Sequence, residues 1–343
     1  MGVFLWTEWM ENWYNKIVEA KNINTNIVFK NEPKLSEHEV DKNFNERRIN
    51  LIPHVKDFIS NHDLFKDKEV SVTFAQKGIG SLVCIIESSN EKLVLKIHLS
   101  LSHSLGEGQF LKVWEQAGVK VPHVIEDGML NGHAYTLMKY IDAPILSEAY
   151  SNKELLDNGI YFEMGQTLSA MHSPKAEGYG RVVDGKAEFT EFKDWINSED
   201  MQKRYQYVSE NALLGEEHGS LILAIEILTE HANNEKKSSY CHDDFGTSNM
   251  FATHPITVFD PNPRFNNGYI DLGRTLYNYI AKGVFPKQLV DGYFGKEPYD
   301  EKVLHASLLI SSYFKFPYAH KTKRLEIMQN IKEHLIENKH LLV

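Results

Sequence analysis

The chain has 343 residues, 42% apolar and 24% charged, with 37 Lys and Arg against 47 Asp and Glu for a net charge of −10. That length suits about two structural units, and the composition excludes wholesale disorder. The acidic balance excludes nucleic-acid binding through bulk electrostatics, which needs clustered Lys and Arg, while leaving room for a local basic nucleotide pocket. Two cysteines, Cys84 and Cys241, cannot build a disulfide framework or a cysteine-rich zinc site, so a reducing, cytoplasmic location is expected. No run of 18 apolar residues occurs, so no transmembrane segment is expected. Glu8 and Glu11 interrupt the N-terminal apolar stretch, and Trp6 stands where myristoylation needs Ser or Thr; neither a signal peptide nor a lipid anchor is expected.

In chain order, Trp6, Met10, Trp13 and Ile17 recur at helical spacing and predict an amphipathic helix over residues 4–18, packed on the protein. Residues 19–44 are polar and Asn-rich and read as a loop; residues 1–44 thus form an N-terminal extension. Ile49, Ile52, Val55, Phe58 and Ile59 mark a helix within residues 44–64, with Pro53 at a kink or at its true start. The period then shortens. Residues 70–75, 82–87 and 92–98, rich in Val, Ile and Leu and separated by turn residues, predict a three-stranded antiparallel meander. A helix over residues 106–117, an edge strand from Val121 and a strand over residues 134–140 follow, and Asp142-Ala-Pro144 breaks the pattern. Residues 45–142 therefore read as a small sheet-containing lobe. Residues 143–343 read as a larger, mostly helical lobe, with apolar stripes such as Ile160, Met164, Leu168 and Met171. The fold class is α+β.

The densest chemistry lies at Cys241-His-Asp-Asp244-Phe-Gly-Thr-Ser-Asn249-Met250, followed by Thr257-Val-Phe-Asp260-Pro261. Asp244 is placed to orient and deprotonate an attacking hydroxyl, while Asn249 and Asp260 offer hard oxygen ligands of the kind Mg²⁺ takes. Gly78-Ile-Gly80-Ser81 reads as a hairpin turn, or as a phosphate cover using backbone N–H groups and the Ser81 hydroxyl. Asp271 is expected to hold the loop by accepting from backbone N–H groups, and Arg274, one helical turn later, to pair with an acid.

His242-x-Asp244-x-x-x-x-Asn249 with the apolar strand into Asp260 resembles the signature of the aminoglycoside phosphotransferase and choline-kinase-like group. The likeness runs over about residues 70–335, in order. Val94-Leu-Lys96-Ile97 resembles the strand lysine on the nucleotide phosphates, and Glu107 the helix glutamate that pairs with it. Tyr135 to Ile141 resembles the hinge over the nucleobase, read through backbone groups near Lys139 and Ile141. Met164 to His172 with Gly178-Tyr-Gly180, and Gly268-Tyr-Ile-Asp271-Leu272, resemble the family's long helix and late helix start. Asp244-Phe-Gly-x-x-Asn249 and Phe192-Lys-Asp-Trp195 resemble hygromycin-type members. The resemblance implies a two-lobed protein-kinase-like fold and transfer of the γ-phosphoryl group of ATP or GTP, with Mg²⁺, to a hydroxyl. Asp244 would be the base, Asn249 and Asp260 the metal ligands, and His242 a buttress of the loop. The acceptor is a small hydroxylated molecule, an aminoglycoside or related metabolite; a chain this acidic suits a cationic one.

Asp243 departs from the pattern, which has a small or neutral residue there. Three outcomes stay open: it raises the apparent pKa of its neighbour, it recruits a cationic substrate group, or it points outward. Two other activities compete. His242-Asp243 could belong to a His-Asp metal phosphohydrolase, although its loop composition does not suit the helix such sites use. A catalytically silent nucleotide-binding scaffold is the other, against which stands the full set of catalytic-type residues.

Overall fold

The structure, a computed structural model, describes residues 27–33, 46–76, 80–89, 91–99 and 106–342. The chain divides into two compact units: residues 1–101 with 124–140, and residues 102–123 with 141–343. The helix expected over residues 4–18 lies outside the described residues, as does Gly78.

The first unit is a six-stranded sheet in the order β1-β2-β3-β4-β6-β5, with helical residues 46–49 and 52–61 contributing to the core on its apolar residues. The strands are β1 (Ile27–Phe29), β2 (Val70–Phe74), β3 (Ser81–Ser88), β4 (Glu91–His98), β5 (Val124–Leu130) and β6 (His133–Lys139). The meander β2-β3-β4 is antiparallel, and β6 then pairs with β4, leaving β5 at the edge. The helix α1 (Ile52–Asn61) has its proline in the first turn, so Pro53 marks a start and not a kink. It buries Ile52, Val55, Phe58 and Ile59 in one core with Val72, Leu82, Cys84, Ile86, Leu95 and Leu137.

The loop expected over residues 19–44 contains a strand. β1 pairs parallel to β2, Ile27 opposite Val70 and Phe29 opposite Val72. Two contacts dock so short a strand. Phe29 stacks on Phe74 at 5.6 Å, and Asn31 both donates to Phe74 O (3.0 Å) and accepts from Phe74 N (2.7 Å). The Asn side chain thus acts as one more ladder residue. Three apolar residues in a polar stretch carry too little periodicity to announce a strand.

The second unit begins with α2 (Glu107–Gln116), which buries Phe110 and Trp114 against Tyr240, Phe265 and His242. Residues 102–123 group with this unit for that reason. Its longer helices are α3 (Ile160–His172), α4 (Glu199–Glu210), α5 (Leu221–Glu235), α6 (Gly268–Ile280), α7 (Lys287–Phe294), α8 (Glu301–Lys321) and α9 (Leu325–Glu337). Between them run a five-stranded sheet, ordered β7-β10-β13-β8-β9, and the hairpin β11-β12. These strands are β7 (Lys175–Ala176), β8 (Tyr179–Val183), β9 (Lys186–Phe189), β10 (Ser238–Cys241), β11 (Met250–Phe251), β12 (Thr257–Val258) and β13 (Arg264–Asn266). α3 and α7 touch backbone to backbone, since a Cβ at Gly165 or Gly292 would collide with the facing main chain. That close approach brings Tyr293 of α7 to His172 at the end of α3, whose ring sits 2.8 Å from the phenol oxygen.

Candidate active site

The loop after β10 carries most of the candidate residues, and its geometry starts from strand register. β10 and β13 are antiparallel with Cys241 opposite Arg264, which delivers the Arg264 guanidinium to Asp243 two residues on. Asp243 is 2% exposed, and its Oδ2 accepts from Arg264 Nε and Asn262 Nδ2, both at 2.7 Å. Its Oδ1 is paired with Arg274. Asp243 therefore points inward as the shared counter-ion of two buried guanidiniums. It does not point outward, and its oxygens are committed to protein donors and not to a cationic substrate group. Its backbone is left-handed (φ 61°), a conformation Asp tolerates better than most residues and one that these bonds hold.

α6 supplies the second support. Asn267 caps it, accepting from Tyr269 N at 2.9 Å, and Asp271 and Arg274 then share one face at a spacing of three. Asp271 Oδ2 accepts from His242 N (2.6 Å) and Oδ1 from Asp243 N (2.8 Å), and His172 Nε2 lies 3.0 Å from Oδ2. Burial pushes the Asp271 carboxyl up, but the hydrogen bond and charge of His172 and the His242 N–H outweigh it and hold the pKa below the ordinary value. Arg274 finds its acid in Asp243.

His242 is fully buried and stacks on Trp114 with ring centroids 5.9 Å apart. Its Nδ1 accepts from Asp244 N (3.3 Å), which leaves the proton on Nε2, facing Phe259 O at 3.0 Å. Both ring nitrogens are thus engaged with backbone, and the residue lies on a loop. Those two facts remove the His-Asp metal-pair geometry. His172, Cys241 and Asp271 also cluster within 4.8 Å, but His172 and Asp271 are likewise committed to hydrogen bonds. Burial pushes the Cys241 thiol up, which keeps it protonated.

Asp244 is the residue the loop presents outward, with its side chain 53% exposed. Asn249, at the end of the 3₁₀ turn Thr247–Asn249, donates Nδ2 to Asp244 O (2.8 Å) and to Asp244 Oδ2 (3.1 Å). With the nitrogen spent on Asp244, the amide oxygen is the atom Asn249 has to offer an ion. The hairpin pairs Met250 with Val258, and Phe259 N donates to Asn249 O at 3.0 Å. Asp260 therefore follows directly beside Asn249, exposed and left-handed (φ 54°). An amide oxygen and a carboxylate at the open end of one hairpin make a donor set that fits Mg²⁺.

The remaining sequence candidates lie elsewhere. In the first unit, Lys96 is buried in β4 opposite Val83 and Thr136, Ser81 opens β3 opposite His98, and Gly80 O accepts from Leu99 N. Lys139 ends β6 exposed and pairs with Glu91. In the second unit, Glu107 opens α2 buried, and Ile141 is half-buried. Sequence reading missed Lys315, whose Nζ lies 3.6 Å from Asp244 Oδ1. A lysine within a helix that pattern reading places far downstream gives no signal of that proximity. It also missed Arg264 and Asn262 as partners of Asp243, although both stand just after Asp260.

A model of the phosphotransferase enzyme family matches residues 71–290. Among solved structures, a microcompartment-associated aminopropanol kinase superposes with a TM-score of 0.61 at 15% identity, covering 84% of this chain and 98% of its own. A thermostable mutant of the aminoglycoside phosphotransferase APH(4)-Ia, in ternary complex with AMP-PNP and hygromycin B, superposes with a TM-score of 0.58 at 14% identity, covering 84% and 96%. At such identities the likeness is one of fold, the protein-kinase-like one. No curated protein matches the chain by sequence.

Proposed function

This chain belongs to the phosphotransferase enzyme family and is a phosphotransferase with a hydroxyl acceptor; from that premise we propose that it moves the γ-phosphoryl group of ATP or GTP to a hydroxyl of a small molecule. Asp244 aligns the acceptor hydroxyl and takes its proton late in a loose transition state, so positioning matters more than basicity. Asn249 holds the Asp244 carboxylate through Nδ2, and its amide oxygen with Asp260 would hold Mg²⁺. Bound there, the ion would neutralise charge on the phosphate oxygens. Lys96, Gly78, Gly80, Ser81, Glu107, Lys139 and Ile141 are proposed for the nucleotide, in the roles the family resemblance gives them.

The observation that carries this reading is the pairing of an outward Asp244 with Asn249 Nδ2 at 3.1 Å, on a loop whose backbone the buried Asp271 pins. The experiment is release of ADP or GDP with Mg²⁺ against a panel of aminoglycosides and hydroxylated metabolites, with Asp244→Asn as the blank. Acceptor-stimulated release should fall by about 10²–10⁴-fold in the blank, the range for a lost general base. Equal release from both proteins would sink the assignment. Asp260→Ala should lose the Mg²⁺-dependent part of nucleotide affinity in calorimetry; an unchanged metal dependence would remove Asp260 from the ligand set.

A further inference from the structure

The kinase reading leaves the acceptor's charge open, and the surroundings of Asp244 bear on it. Lys315 of α8 places its ammonium 3.6 Å from Asp244 Oδ1, an ion-pair contact longer than a hydrogen bond. Its side chain is only 26% exposed, and Asp244 is the carboxylate it faces among the described residues. An ammonium has three donors, and one carboxylate oxygen at 3.6 Å leaves donors that an anionic ligand oxygen can take. Burial, then the nearby charge of Arg274, lower its pKa, with Asp244 and Asp243 opposing.

The neighbouring charges reinforce this. Arg264 and Arg274 share Asp243, while Arg181 and Arg204 share Asp200. Arg274 and Arg204 both lie over the Phe314 ring, at 4.4 and 5.0 Å from its centroid. Arg274 and Lys315 thus both lie within reach of the Asp244 charge, and Phe314, next to Lys315 on α8, carries Arg204 and Arg274 on its ring. The chain's net charge of −10 is a sum over all its residues and does not fix the sign at one site. An acceptor group bound at Asp244 stands beside the Lys315 ammonium, which attracts an anion and repels a cation.

We propose that Lys315 is a specificity-determining residue that takes an anionic oxygen of the acceptor, a carboxylate or phosphate ester, beside Asp244, so that the acceptor is an anionic hydroxyl compound and not a polyamine sugar. The inference rests on the kinase reading, and it turns the expectation drawn from overall charge around.

The test uses the full chain loaded with Mg²⁺ and AMP-PNP, so that the γ-phosphate position is filled. Calorimetry then compares a matched set of hydroxyl compounds, glycerate and glycerol phosphate against glycerol and 3-amino-1,2-propanediol, with hygromycin B as a polycation. The anionic members should bind more tightly than their neutral and amino counterparts. Lys315→Met should weaken them about tenfold or more, Lys315→Arg should retain them, and nucleotide affinity should stay within about twofold. The wild-type order of affinities decides by itself if the Met variant does not fold. Preference for the amine or hygromycin B, no anion binding, or anion binding indifferent to Lys315→Met would each overturn the proposal. Loss of AMP-PNP affinity in Lys315→Met would move the ammonium to the nucleotide and also overturn it. Failure of the wild type to bind nucleotide would instead strike the kinase reading on which it stands.

Discussion

The inner and outer faces of the loop Cys241–Asn249 use the same residue type to opposite ends. Asp243 turns inward, 2% exposed, and neutralises Arg264 and Arg274; Asp244, one peptide away, turns outward with its side chain 53% exposed. The motif marks Asp244 as the candidate base, but nothing in the sequence says which way Asp243 turns. Their difference comes from a left-handed backbone at Asp243, held by Asp271 beneath it and the two guanidiniums beside it. The lesson is that adjacent carboxylates are sorted by what can desolvate and pair them, not by their own chemistry.

Exchanging each carboxylate for its amide sharpens that contrast. Asp244→Asn should have the largest effect on rate, the 10²–10⁴-fold loss named above, and leave urea unfolding within about 0.5 kcal/mol of the parent, as for an exposed side chain. A large loss of stability would contradict its outward placement. Asp243→Asn should do the reverse. It strands two buried guanidiniums and should cost about 3–5 kcal/mol of unfolding free energy, with activity lost in step with the folded fraction. A stable but inactive Asp243→Asn protein would show that its role is chemical.

Asp271 offers a pH test of the inner face. Its folded pKa lies below the unfolded value, so its stabilisation is fully present above that value, about 3.9, and is lost as pH falls through the folded pKa. Asp271→Asn should be less stable than the parent by about 2–3 kcal/mol at neutral pH, and the gap should narrow below about pH 4. A gap that stayed constant into acid would mean that the carboxylate's charge contributes nothing. The smallest effect is expected far from the loop. Asn31→Ala removes two hydrogen bonds that dock β1 and should cost about 1–2 kcal/mol in thermal unfolding without changing the rate of a saturated reaction.

Much of the fold was legible because its signals are local. The switch from helical spacing to short Val- and Ile-rich runs marks β2, β3 and β4, and Pro53 marks the first turn of α1. β1 was not, because three residues and one borrowed Asn make a strand only when β2 is already there to receive them.

The same division holds for the site. Asp244, Asn249 and Asp260 could be read from the chain because a short 3₁₀ turn and a hairpin bring them together, and interactions over a few residues leave a spacing behind. His242 and Asp271 could be read through their place in the motif. The inward turn of Asp243 and the approach of Lys315 to Asp244 could not. The first depends on Cys241 standing opposite Arg264, and the second on α8 packing beside the loop. Strand register and helix docking are set by burial summed over whole faces, which no spacing in the sequence records, and here they turn Asp243 inward and bring Lys315 to Asp244.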